Sequence, residues 1–129
     1  MKTIGSGTNL KEEIKMNNQN IKDYVLFRDE SLTKKIIYDE EKVLAFVLNL
    51  KAGQSIPIHK HGTSALIYHV LGGAGELKVN EEIIKLEEGS IGLVAGEDDF
   101  SIPKIDQDLS LYVTISPRPE DDRYAASID

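Results

Sequence analysis

The sequence predicts an all-β fold, a barrel or sandwich of antiparallel strands. Two observations carry this. Short runs rich in β-branched and aromatic residues follow one another from residue 21 to residue 116, each bounded by glycine, asparagine or acidic turn residues. No long stretch repeats its apolar residues at helical spacing, which argues against an α/β architecture. A chain of 129 residues is one domain's worth and long enough to bury a core unaided.

Taken in order, residues 1–20 read as an N-terminal extension. Gly5, Ser6 and Gly7 are flexible, and Asn17, Asn18, Gln19 and Asn20 form a polar break. Between them Asn9 is placed to cap a short helix, with Glu12 as its reciprocal partner, ending near Met16. Residues 21–116 form the barrel domain. Its expected strands are Tyr24 to Phe27, Lys34 to Tyr38, Val43 to Leu50, Ser55 to His59 and Ala65 to Leu71. Then follow Glu76 to Val79, Ile83 to Leu86, Ser90 to Ala95, Phe100 to Pro103 and Leu109 to Ser116. Gly72 to Gly75 reads as a hairpin turn, and Lys104 to Asp108 as another separator. Residues 117–129, with Pro117-Arg118-Pro119 and Glu120-Asp121-Asp122, read as an irregular surface strap.

Composition narrows the function classes. Apolar residues at 40% and charged residues at 29% describe an ordinary globular chain rather than a disordered one. The absence of cysteine excludes disulfide, thiolate-metal and cysteine-nucleophile chemistry together. Fifteen Lys plus Arg against twenty-two Asp plus Glu leave a formal charge of -7, which repels phosphate backbones, so no nucleic-acid partner is expected. The longest apolar run, Val43 to Leu48, is far short of a bilayer span, and the first residues lack a signal-peptide core, so a cytoplasmic protein without a membrane partner is expected. Neither a nucleophile elbow nor a phosphate-binding glycine loop is present.

The chemistry-bearing residues cluster between positions 59 and 69. His59 and His61 stand two apart in an extended stretch, so both imidazoles project to one face, a two-point clamp for a first-row transition metal. The same spacing also suits an exposed polar segment. His69 alternates outward if Leu66 and Tyr68 point inward, which places it on an outer sheet face, where a dimer contact would lie. Leu66, Tyr68 and Phe100 are then candidates for the wall of a cavity, or for plain core.

Gly53, five residues, His59-Lys60-His61 and later Gly73, within Val70-Leu71-Gly72-Gly73-Ala74-Gly75, resemble the first motif of the cupin superfamily. Gly89-Ser90-Ile91-Gly92-Leu93-Val94-Ala95-Gly96 is similar to the start of the second motif. The resemblance spans about residues 24–116 and implies a jelly-roll barrel, a homodimer and a small-molecule ligand, with a divalent ion (Fe, Mn, Ni or Zn) as cofactor. The departures weigh as much. Leu66 stands where the motif has glutamate, and the third histidine is missing, its place falling on Asp99 or Phe100 according to register. Asp99 would complete a two-His, one-carboxylate set with His59 and His61; otherwise it belongs to a solvated acidic loop with Glu97 and Asp98. The sequence thus leaves two function classes. One is a small-molecule-binding cupin with a reduced two-His site; the other is a metal-dependent oxygenase or isomerase.

Overall fold

A computed structural model of the chain describes residues 14–121 and 125–128. Among them seven strands pair, all antiparallel: β1 (Thr33–Glu40), β2 (Val43–Leu50), β3 (Ile56–His59), β4 (Ala65–Val79), β5 (Glu82–Glu87), β6 (Ile91–Ala95) and β7 (Phe100–Ser116). The order is β1-β2-β7-β4-β5, with β3 added to β7 and β6 added to β4. The C-terminal half of β7 and the N-terminal half of β4 lie with β1, β2 and β6. The other halves of the two strands lie with β3 and β5. Two layers therefore share two long strands.

This sharing corrects the expectation of ten short strands. The runs on either side of Gly72 to Gly75 are halves of one 15-residue strand, and those on either side of Lys104 to Asp108 are halves of one 17-residue strand. No hairpin turns at Gly72 to Gly75. The segment stays paired to β7 through register shifts between Val70 and Gly72, Gly72 and Ala74, and Ala74 and Gly75. Gly73 takes φ 95°, and a Cβ there would overlap the carbonyl oxygen of Asp108. Glycine is required because two bending backbones meet with no room between them.

Tyr24 to Phe27 is not a strand. A one-turn 3-10 helix, Ile21–Tyr24, is capped by Asn20, whose side chain accepts from the Lys22 N–H. Irregular chain follows and lies against the outer side of β2. There buried Asn49 donates from Nδ2 to the Tyr24 carbonyl and to Thr33 Oγ1, both at 3.0 Å. The helix expected from Asn9 falls mostly outside the described residues, and Ile14, Lys15 and Met16 are not helical.

The core lies between the layers. Leu44, Phe46, Leu48 and Leu50 face it from β2, Leu66, Tyr68 and Val70 from β4, and Leu111, Val113 and Ile115 from β7. Strict alternation of buried and exposed residues along Ala65 to Val70 shows the period-2 logic directly. No helix among the described residues is long and apolar enough to cross a membrane.

Candidate functional site

A cavity of about 150 Å³ opens inside the barrel where β1, β2, β3 and the two long strands converge. Ile56, Phe46, Leu48, Leu66, Val113 and Ile115 make apolar walls. Three polar side chains reach it: Lys34, His59 and His61.

Each imidazole has a local reason for its position. His59 ends β3, and its Nδ1–H donates to the Pro57 carbonyl at 2.9 Å. Its Nε2 is then an acceptor in the neutral ring, and His61 Nε2 donates to it at 3.0 Å. His61 lies in the turn after β3, with its backbone N–H on the Gly96 carbonyl at 2.8 Å. Gly96 must lack a side chain, since a Cβ would overlap the carbonyl oxygens of Gly62 and Ser64 in that turn. The two rings meet edge-on at 4.6 Å, and each is edge-on to Phe100, at 5.4 and 5.5 Å. Burial, helped by His59 and Lys34, pushes the His61 imidazole down to about 4, so it is neutral at pH 7.

Register decides the remaining candidates. Phe100 pairs with His59 across β3 and β7, so the phenyl ring, 3% exposed, faces both histidines. Asp99 does not join them. Lys60, between the histidines, alternates to the other side, and Asp99 pairs with it at 2.7 Å while its backbone is fastened to Asn80. Leu66 lines the cavity. Tyr68 points inward but not into the cavity; its ring lies over Gly92, directly opposite on β6, and burial raises its phenol. His69 is exposed on the outer face.

The donor set can be tested against a metal ion. Two nitrogens bound to one ion at about 2.1 Å would stand about 3 Å apart at a right angle and about 3.4 Å apart at a tetrahedral one, and the two Nε2 atoms are 3.0 Å apart. His59 also has the carbonyl partner that orients a metal-binding ring. Beyond those two donors the fit fails. Among the described residues no group of three His, Asp or Glu converges, and the third polar group in the cavity is an ammonium, which repels a cation. The pair suits a weak two-point chelate, not a resident cofactor's closed ligand set.

Of the cavity residues, the sequence pattern singled out His59, His61, Leu66 and Phe100; among those it did not, Lys34 and Ile128 stand apart from the apolar strand residues of the wall. Ile128 reaches the mouth because its backbone pairs with Lys34 in both directions, at 2.7 and 2.8 Å. Nothing in residues 117–129 signals that contact. Lys34 had a signal: adjacent Lys34 and Lys35 in a strand must face opposite ways, so one of them points inward.

No protein-family model and no curated protein matches the chain. Solved structures do. A protein from Thermus thermophilus superposes with a TM-score of 0.74 at 24% identity, covering 81% of this chain and 100% of that one. An RmlC-like cupin from Desulfovibrio desulfuricans gives 0.72 at 24% identity, over 81% and 99% of the two chains. An RmlC-like cupin from Shewanella frigidimarina gives 0.65 at 21% identity, over 70% and 80%. With its all-antiparallel sheet and shared long strands, the chain has the cupin jelly-roll fold.

Proposed function

We propose that this protein is a cupin-type binding module for a small, largely apolar molecule. One observation carries the reading: a cavity inside the barrel walled by apolar side chains, with its few polar groups gathered at one site. His59 and His61 serve as polar anchors, fixed to each other and, through the half-buried His59, to the Pro57 carbonyl. A homodimer through the outer face of β4 and β6 belongs to the same reading. A second reading, a metal-dependent oxygenase or isomerase with Fe, Mn, Ni or Zn on the histidine pair, is favoured by the 3.0 Å spacing of their nitrogens.

Chelator-treated protein titrated with benzene-sized fragments distinguishes them by NMR. Binding without metal, shifting the methyl signals of Leu48, Leu66 and Val113, is the expected result. Binding that needs added metal would favour the second reading. No shift from any fragment, with or without metal, would remove the first.

A further inference from the structure

Lys34 sits where a core residue belongs. It pairs in register with Leu48 on the inner side of the β1–β2 ladder and is 9% exposed. Its cavity neighbours are apolar apart from His59 and His61, neither of which supplies a negative charge, so leucine or methionine would suit the position at lower cost, since a buried charge without a counter-ion is expensive. Its Nζ lies 4.4 Å from the centre of the Phe46 ring, whose negative face offsets part of the lost hydration but supplies no net charge. Among the described residues the carboxylates that form ion pairs hold other cations: Lys51, Lys60, Lys104 and Arg118. Burial leaves the ammonium easier to discharge than usual, at about 8, yet still charged at neutral pH. A cation kept against that cost, facing a cavity, is a candidate recognition element.

We propose that the cavity binds a small monocarboxylate, its anionic head on Lys34 Nζ and its apolar remainder between Phe46, Leu66 and Phe100. The proposal rests on the reading of the cavity as a ligand site and adds the ligand's class. One ammonium balances one negative charge; a phosphate dianion would carry a second, unmatched charge into the same apolar walls. Cavities of about this volume accept a benzene-sized molecule, which limits the ligand to benzoate or a short straight-chain acid.

Calorimetric titration at pH 7 in the presence of chelator tests this with benzoate and pentanoate against benzamide and pentanamide. The chelator removes any contribution from a metal on the histidines. The acids should bind about ten- to a hundredfold more tightly than the amides, the range of a charge-assisted hydrogen bond. Lys34→Met, which keeps the apolar stem, should abolish that preference, and Lys34→Arg should retain it. Equal binding of acids and amides by the wild type, or a preference that survives Lys34→Met, overturns the proposal and leaves the binding-module reading standing. Failure of both series to bind overturns both.

Discussion

Gly73 of β4 and Asp108 of β7 touch backbone to backbone, at the point where the two long strands bend together from one layer to the other. The glycine has φ 95° and no room for a methyl group. Gly73→Ala should therefore destabilise the protein by about 3–5 kcal/mol, combining backbone strain with a clash against a carbonyl. Gly72→Ala is the control, because a Cβ there meets nothing within 4 Å and φ is ordinary. It should cost no more than about 1 kcal/mol. Denaturant unfolding of the two variants checks the contrast.

Lys34 makes stability rise in alkali. Unfolded, its amine titrates at 10.5; folded, burial lowers it to about 8. Between those values the unfolded chain binds the extra proton, so raising the pH favours the folded state. Below pH 8 both states are protonated and the full burial penalty applies. Unfolding free energy should increase by about 2 kcal/mol between pH 7.5 and 9.5. In Lys34→Met that increase should vanish, and the variant should be the more stable protein at pH 7.5. A wild-type profile as flat as the variant's would contradict this.

Metal affinity separates Leu66 from Asp99. Leu66 shares the cavity with both histidines, so Leu66→Glu adds an anionic oxygen to two neutral donors and balances Lys34. Zinc or nickel binding should tighten at least about tenfold, the lower end of what a single supporting group contributes. Asp99 is held by Lys60 on the other side of the strand, and both side chains are substantially exposed. Asp99→Asn should leave metal affinity unchanged and alter stability by no more than about 0.5 kcal/mol, as surface pairs do. Calorimetric titration of both variants checks this, and loss of binding in Asp99→Asn would refute the placement.

The outer face carries the dimer expectation. Ile67 and Leu93 face each other across β4 and β6 at 45% and 72% exposure, and Ile91, beside His69, is 70% exposed. Apolar side chains so grouped gain by pairing with a second copy. Sedimentation should give a dimer for the wild type and a monomer for Leu93→Lys, with an unchanged circular dichroism spectrum. A monomeric wild type would exclude the pairing.

The strands were legible because their side chains alternate: Val43 to Leu50 is a strand with the bounds its composition predicts. What alternation cannot reveal is continuity. Gly72 to Gly75 has the composition of a turn, and only its partner strand, far along the chain, decides that it is a bend. The same limit applied at the site. The spacing of His59 and His61 placed both in one cavity, but Asp99 and Phe100 are neighbours, and one step of register decides which of them faces the histidines. For Lys34 the limit was different: alternation requires that Lys34 or Lys35 face inward but does not say which, and lysines in a strand are ordinarily read as its wet face.

The backbone bridge between Lys34 and Ile128 also governs how copies of this molecule can meet. β1 is an end strand of the sheet, the kind of edge onto which a stranger's strand can be added. Here part of that edge is taken by the chain's own tail, with Ser127 Oγ accepting from the Ile36 N–H, and the register slips between Ile36 and Tyr38 just beyond. An incoming strand would find donors and acceptors occupied and then out of step. On this side the covered part of the edge offers no template for an added strand, and any pairing of copies would fall to side-chain faces, where a two-fold contact closes on itself and stops.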